Sequence, residues 1–154
     1  MKEIIIKILE NINNESLKDE DLEFIKSKIR TIPDWPKRGI MFRDITTLLK
    51  DSKAFEKTID MLYQRYKSKE IDSVLGIESR GFIIASALAS KLGKGLILAR
   101  KPGKLPAASI KQSYYLEYGQ DAIEVHADSI NKGQKILIVD DLIATGGTVS
   151  AAAQ

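Results

Sequence analysis

The sequence of 154 residues contains no cysteine and a single histidine, His126. The absence of cysteine excludes a disulfide framework, a thiolate nucleophile, a CxxC redox site and a cysteine-ligated zinc. One imidazole cannot form a multi-histidine zinc site, and a serine–histidine–aspartate triad would depend on this residue alone. Metal hydrolysis and triad chemistry are therefore poor explanations of this chain.

Long hydrophobic runs are also missing. No apolar stretch approaches the roughly 20 residues that a transmembrane helix needs. The N-terminus places Glu3 and Lys7 around a short apolar triplet, which is unlike a signal peptide. With 44% hydrophobic and 29% charged residues, 10 glycines and 4 prolines, the composition excludes disordered, collagen-like and fibrous classes. We expect a cytoplasmic protein of about one domain, with no membrane partner.

The net charge of +3 is concentrated in one segment. Residues 100–111 contain four bases and no acid, so the rest of the chain is near neutral. A local basic cluster between prolines and a glycine indicates a small anionic ligand more than a nucleic-acid groove, so no nucleic-acid partner is expected. The alternative is a solvated basic loop. The bases are Arg100, Lys101, Lys104 and Lys111.

Hydrophobic spacing predicts two short helices in residues 1–30, an N-terminal helical extension that serves packing. The first has its apolar face at residues 4–12, and the second follows Ser16. Residues 31–39 contain two prolines and a glycine, which predicts a connecting loop. Another helix is predicted over 54–66.

From residue 71 onward, strand and helix patterns alternate. Strands are predicted at 71–77, 96–99, 123–126 and 136–139, the last a buried central strand, with a helix over 81–92. The basic stretch through residue 119 is predicted to be a long excursion from the sheet, that is, a long loop that serves as a lid or binding loop. This alternation predicts an α/β fold with a mainly parallel sheet flanked by helices.

The most informative segment is 136–149, where a hydrophobic strand is followed by Asp140 and Asp141 and then by the sequence ATGGT. A helix is predicted to open at Val149, and glycines before a helix N-terminus let the backbone approach an anion. The segment is neither a Walker A loop nor a dinucleotide fingerprint. We interpret it as a phosphate cradle in which one carboxylate faces the ligand and the other anchors the loop. The alternative is that both simply end the strand in solvent.

These motifs resemble the type I phosphoribosyltransferase family, and more closely its adenine-specific branch. The resemblance covers residues from about 29 to the end, so residues 31–154 are expected to form the phosphoribosyltransferase domain with a small hood. It rests on motifs in the family's order: IPD at 32–34, GIMFRDI at 39–45, GIESRGF at 76–82, RKPGKLP at 100–106, YLEYG at 115–119 and ATGGT at 144–148.

The resemblance implies a purine salvage reaction, adenine + 5-phosphoribosyl 1-pyrophosphate (PRPP) → AMP + pyrophosphate. It implies an oxocarbenium-like transition state under a closing loop, a homodimer, and Mg²⁺ carried on PRPP with no direct protein ligand. The family has an unusual, sometimes cis, peptide at the pair matching Glu78 and Ser79. It also continues beyond the position matching Gln154, so the domain is expected to be C-terminally incomplete relative to the family.

Residue roles are implied in the same way. Glu117, on the mobile loop near the purine N7, and Arg80, near the pyrophosphate, are the expected catalytic residues. The expected substrate-binding residues are Met41, Phe42 and Arg43 for the base, Arg100, Lys101 and Lys104 for pyrophosphate, Tyr118 over the ribose, Asp140 and Asp141 for the ribose hydroxyls, and Ala144, Thr145, Gly146, Gly147 and Thr148 for the 5′-phosphate. Ser79 is also expected to bind substrate.

Three alternatives stay open at this point. One is a phosphoribosyltransferase for another base, which the FRDI and LEYG segments disfavour. Another is a PRPP-binding regulator without turnover, and the third is an inactive truncated form.

Overall fold

A computed structural model of the chain describes residues 19–116, 119–143 and 146–154. The described residues fall into two compact units, one formed by residues 19–65 and the other by Tyr66–Gln154. The helices are α1 (Asp19–Ser27), α2 (Thr46–Lys50), α3 (Ser52–Tyr66), α4 (Gly81–Leu92) and α5 (Gly147–Ala152). The strands are β1 (Arg30–Pro33), β2 (Met41–Asp44), β3 (Ser73–Ile77), β4 (Gly95–Ala99), β5 (Ser109–Leu116), β6 (Gly119–His126) and β7 (Ile136–Val139).

A parallel sheet of order β4-β3-β7 organises the second unit. In its register Gly76 of β3 lies between Leu98 of β4 and Val139 of β7, so all three strands end at the same edge. The helix α4 joins β3 to β4, as the alternating pattern predicted. The predicted parallel sheet with flanking helices is confirmed.

Apolar side chains cover both faces of this sheet. On one face Val74 packs against Ala85 and Ala89 of α4. On the other, Leu75 and other β3 and β4 side chains pack against the β5–β6 hairpin and α5. Leu75 is 1% exposed, and burying a leucine side chain stabilises a fold by about 1.5–3 kcal/mol. The sheet is thus fixed from both sides, which gives its carboxyl edge a defined geometry.

Two predictions for this unit are wrong. Strand β7 pairs only with β3 among the described residues, and all four of its residues are half-buried, so it is an edge strand there and not a buried central one. An apolar run identifies a strand without revealing how many neighbours it has. The predicted excursion after β4 contains β5, which pairs antiparallel with β6 over eight residues, from Ser109↔His126 to Leu116↔Gly119. Only residues 100–108 remain as a loop.

In the other unit, the predicted loop over 31–39 is wrong at its start. Residues 30–33 form β1 and pair antiparallel with β2. Pro33 is tolerated because it is the last residue of a strand in a two-stranded ribbon. The connection is turned by Asp34 and Gly39, both at positive φ, and the Gly39 N–H donates to Asp34 Oδ1 at 2.6 Å.

The helical predictions for this unit are confirmed where the structure describes the residues. The helix predicted over 54–66 is confirmed as α3, and the second N-terminal helix is present as α1. The first N-terminal helix lies outside the described residues, and the domain boundary at residue 30 stays a prediction. No helix in the described ranges is long and apolar enough to cross a membrane.

Candidate active site

The polar ends of three parallel strands meet at the carboxyl edge of the sheet, where open α/β sheets bind ligands. Residues 78–80 follow β3, residues 100–104 follow β4, and Asp140 and Asp141 follow β7. The sheet register therefore brings together three of the predicted motifs that lie 20–63 residues apart in the sequence.

Gly81 allows the start of α4 to approach the end of β7. A Cβ at this position would lie 2.8 Å from Asp140 Oδ1 and 3.0 Å from the Val139 carbonyl oxygen. The 2.8 Å contact is shorter than Cβ atoms normally make and the 3.0 Å contact to backbone is unusually tight, so a side chain at this position would force its neighbours to shift. The start of α4 at Gly81 was predicted correctly, but this function of the glycine was not.

Within the acidic pair, Asp141 forms an ion pair with Arg80. Asp141 is 4% exposed, and Arg80 Nε lies 3.0 Å from its Oδ2. Asp140 is half-buried, and its Oδ1 accepts the Asp141 N–H at 2.9 Å. The arrangement separates the two carboxylates into one anchored by an arginine and one that partly faces solvent.

Burial raises the pKa of Asp140 to about 7, with the neighbouring Asp141 charge acting in the same direction. Burial also raises the pKa of Asp141, although Arg80 opposes that shift. Two carboxylates in one partly buried site disfavour simultaneous ionisation. The edge thus holds two carboxyl groups that are not readily ionised together, beside a segment rich in positive charge.

The phosphate cradle follows this pair. Gly146 is the N-cap of α5 and has a φ of 83°, a conformation that side chains of L-residues rarely adopt. Gly147 opens the helix, two residues earlier than predicted, and Thr148 follows it. The Ser150 N–H donates to the Gly146 carbonyl at 2.8 Å. Ala144 and Thr145 lie outside the described residues.

Glu78 contacts several groups of the basic loop after β4. It was not among the site residues predicted from the sequence. Lys104 Nζ donates to Glu78 Oε1 at 2.6 Å, and the Lys101 backbone N–H donates to Oε2 at 2.8 Å. Arg100 Nε lies 3.4 Å from Oε2. Burial opposes the charge of Glu78, but these partners hold its pKa below the usual value. The only sequence signal was an acid immediately before the Ser79 and Arg80 pair.

Lys101 differs from its basic neighbours. Its ammonium forms an ion pair with Asp121 of β6 and a hydrogen bond of 3.2 Å with the Tyr114 hydroxyl. Burial opposes the charge, yet these partners raise the pKa of Lys101. The side chains of Arg100 and Lys104 therefore both contact Glu78, whereas the Lys101 ammonium contacts the β5–β6 hairpin.

Three predicted base-binding residues lie on β2 in the other unit. Met41 is 48% exposed, and the Arg43 guanidinium donates to the Thr31 hydroxyl across the ribbon. The Phe42 ring packs edge-on against Trp35, with centroids 4.4 Å apart and planes at 63°. The segment presents an aromatic pair beside an exposed apolar side chain.

The strand is anchored by Asp44, which is buried at its end. Asp44 forms an ion pair with Arg30 and accepts the Thr46 N–H at 2.8 Å. Hydrogen bonds from Thr46 and Arg30 lower the pKa of Asp44 to about 2. Asp44 therefore remains charged at neutral pH and fixes the end of β2.

Two further expectations concern the Glu78–Ser79 peptide and the mobile loop. The peptide between Glu78 and Ser79 is cis, in agreement with the expectation drawn from the resemblance. Glu117 and Tyr118 lie outside the described residues, so their predicted roles stay predictions.

Comparison with known proteins agrees with this arrangement. The pattern of the phosphoribosyl transferase domain family matches residues 44–154. The adenine phosphoribosyltransferase of Geotalea daltonii is 58% identical over 130 residues, which cover 84% of this chain and 76% of that protein. The chain belongs to the adenine phosphoribosyltransferase family.

Solved adenine phosphoribosyltransferases share the fold. The crystal structure of the Thermoanaerobacter pseudethanolicus enzyme has a TM-score of 0.83 and 51% identity, covering 86% of this chain and 77% of its own. The Saccharomyces cerevisiae enzyme, complexed with an imino-altritol bisphosphate and adenine, has a TM-score of 0.82 and 36% identity, covering 88% and 80%. The predicted fold class and enzyme class are confirmed: adenine phosphoribosyltransferases are pentosyltransferases of purine salvage.

Proposed function

We propose that this chain transfers the 5-phosphoribosyl group from PRPP to adenine, forming AMP and releasing pyrophosphate. One observation supports the proposal most strongly: the carboxyl edge of the sheet brings together a helix that begins at glycines, an acidic pair, and a basic loop that is held by Glu78. PRPP carries a phosphate at one end and a pyrophosphate at the other, with the ribose hydroxyls between them. This order matches the order of the groups along the edge. The names of the relatives select adenine as the acceptor.

The 5′-phosphate binds at the cradle after β7. Backbone N–H groups at Gly146, Gly147 and Thr148, together with Ala144 and Thr145, supply its donors. Asp140 and Asp141 accept hydrogen bonds from the ribose hydroxyls. Asp140 contacts ribose most directly, because Asp141 is already engaged by Arg80.

The pyrophosphate binds at the ends of β3 and β4. Arg80 and Ser79 approach it from one side, and Arg100 and Lys104 from the other. Lys101 contributes its positive charge from a greater distance, since its ammonium is directed to Asp121. These cations stabilise the negative charge that develops on the leaving pyrophosphate as its bond to the ribose breaks.

Magnesium enters with PRPP as part of the substrate. In the described ranges no three histidine, cysteine, aspartate or glutamate side chains form a cluster that could hold a metal ion. Half-buried Asp140 has the chemistry to accept hydrogen bonds from water on a substrate-borne cation. The donor set at this edge therefore fits Mg²⁺ carried on the pyrophosphate.

Adenine stacks on Phe42, and main-chain groups of Met41 and Arg43 read its edge. Stacking tolerates any purine, so the hydrogen bonds provide the discrimination. Glu117 orients the base through N7, and Tyr118 helps to close the loop over the ribose. A homodimer and a cytoplasmic location also stay predictions.

The chemistry then needs little covalent assistance. As the bond to pyrophosphate breaks, C1′ acquires oxocarbenium character, and the base nitrogen forms the new bond. The protein contributes positioning, stabilisation of the leaving group and exclusion of water. A site open to water would hydrolyse PRPP instead.

The test compares AMP formation by the chain and by Arg80→Lys. Lysine keeps the charge but loses the planar guanidinium, so KM for PRPP should rise by more than about tenfold while KM for adenine stays within about twofold. Arg65→Lys, in the last turn of α3, is the matched control and should change neither constant. Equal changes in both constants for Arg80→Lys would contradict the assigned role.

A further inference from the structure

Glu78 occupies a position that the reaction does not use directly. It follows the last residue of β3, and its backbone N–H donates to the Ala99 carbonyl at 2.9 Å, where β4 ends. Its side chain is only 10% exposed. A carboxylate buried to this extent requires compensating partners, because desolvation of a charge is costly.

Three polar contacts of its side chain with described residues come from the loop after β4. Lys104 occupies one carboxylate oxygen, while Lys101 N–H and Arg100 Nε occupy the other. Arg100 also donates through Nη1 to the Lys104 carbonyl at 3.0 Å. The carboxylate therefore joins the start of the loop to Lys104 in its middle, two parts whose like charges would otherwise repel each other.

A second acid supports the same loop from the hairpin. Arg100 and Glu124 form a backbone bridge with both N–H···O distances at 2.8 Å. Glu124 Oε2 also accepts the Gly103 N–H at 3.1 Å. This second support fixes the backbone, whereas the Glu78 carboxylate is the group that contacts the Lys104 ammonium and the Arg100 guanidinium.

Glu78 leaves most of the donors of these cations available. An ammonium has three N–H donors and a guanidinium has five. Lys104 uses one of them on Glu78, and Arg100 uses one on Glu78 and one on the Lys104 carbonyl. Among the described contacts the carboxylate orients both cations without exhausting them.

We propose that Glu78 is a positioning residue that orients Arg100 and Lys104 toward the pyrophosphate of PRPP. The proposal rests on the proposed function, which places the pyrophosphate at this edge. Glu78 itself does not touch substrate in this account. It acts by fixing the direction of two cations before the ligand arrives, which reduces the ordering cost of binding.

The test measures binding of magnesium pyrophosphate alone, by calorimetry, to the chain and to Glu78→Gln. Glutamine keeps an acceptor for the Lys101 N–H but loses the charge that holds Lys104 and Arg100. Affinity for pyrophosphate should fall about tenfold, and KM for PRPP should rise in parallel while KM for adenine stays within about twofold. Glu70→Gln removes an exposed ion pair with Lys135 and is the matched control, expected to change none of these values.

A double-mutant cycle separates positioning from a general structural role. If Glu78 acts through Lys104, the change Glu78→Gln should weaken pyrophosphate binding much less in a Lys104→Met background than in the unaltered chain. Additive losses, or unchanged or tighter binding by Glu78→Gln, would overturn the proposal.

If Glu78→Gln does not fold, Glu78→Asp retains the charge, is one methylene shorter, and should weaken pyrophosphate binding several-fold; unchanged binding overturns the proposal. Absence of pyrophosphate binding by the unaltered chain would instead contradict the proposed function.

Discussion

Asp140 is expected to make the folded protein less stable as pH rises, and Asp140→Asn should remove that penalty. The pKa of Asp140 is raised from 3.8 to about 7, chiefly by burial. Between these values the folded chain keeps a proton that the unfolded chain has lost, so the free energy of unfolding decreases as pH rises from about 4 to about 7. Asparagine has no such proton, and its amide oxygen can still accept the Asp141 N–H.

The magnitude follows from the size of the shift. About three pH units at 1.36 kcal/mol each set an upper limit of about 4 kcal/mol. Asp140 is partly exposed to solvent, which screens its charge, and it is coupled to Asp141, so we expect on the order of 1–2 kcal/mol. Asp140→Asn should therefore be more stable than the unaltered chain above pH 7, and this difference should vanish near pH 4.

The assay is urea denaturation from pH 4 to pH 8.5, with Asp121→Asn as a control of opposite sign. Burial opposes the charge of Asp121, but Lys101 and its other partners lower its pKa overall. Asp121→Asn should consequently be less stable than the unaltered chain at neutral pH, and the difference should shrink as pH falls. Parallel stability curves for Asp140→Asn and the unaltered chain would show that burial does not raise the pKa of Asp140.

Two further predictions test the close approach at Gly81 and the aromatic pair on the β1–β2 ribbon. Gly81→Ala places a Cβ 2.8 Å from Asp140 Oδ1 and should destabilise the fold by about 1–3 kcal/mol in urea denaturation. Gly95→Ala, whose nearest contact would be 3.6 Å away, should cost less than 1 kcal/mol; equal losses would contradict the packing argument. Phe42→Leu should raise KM for adenine by about 2- to 10-fold through lost stacking, and leave KM for PRPP unchanged. Adenine should also change the fluorescence of Trp35, the single tryptophan, in the unaltered chain more than in Phe42→Leu; no difference would contradict the placement of the base.

The sequence was sufficient to predict the parallel sheet, because its signals are local. Helix α4 has the bounds predicted, since a stretch rich in alanine and small residues stands between two apolar strands. Asp140 and Asp141 could be placed at a carboxyl edge because they directly follow an apolar run. Their different environments could not be predicted, because these depend on Arg80 from another strand end.

Pairing between distant segments accounts for the errors. Strand β1 contains a proline, which suggested a loop, and its identity as a strand depends on β2. Strand β5 lies in a segment where basic residues and prolines suggested an excursion, and it is defined by its partner β6. Glu78 was missed for the same reason, since its partners lie 22–26 residues away and meet it only in the folded sheet.

The most direct test of the central claim is the rate of nucleotide formation by this chain with four purines in parallel: adenine, hypoxanthine, guanine and xanthine, each with PRPP and Mg²⁺. We expect AMP formation with equimolar pyrophosphate from adenine, and no comparable turnover of the other three bases. Equal turnover of another purine would contradict the assignment of the base. Binding of PRPP without conversion of any base would contradict the assignment of the chain as an enzyme.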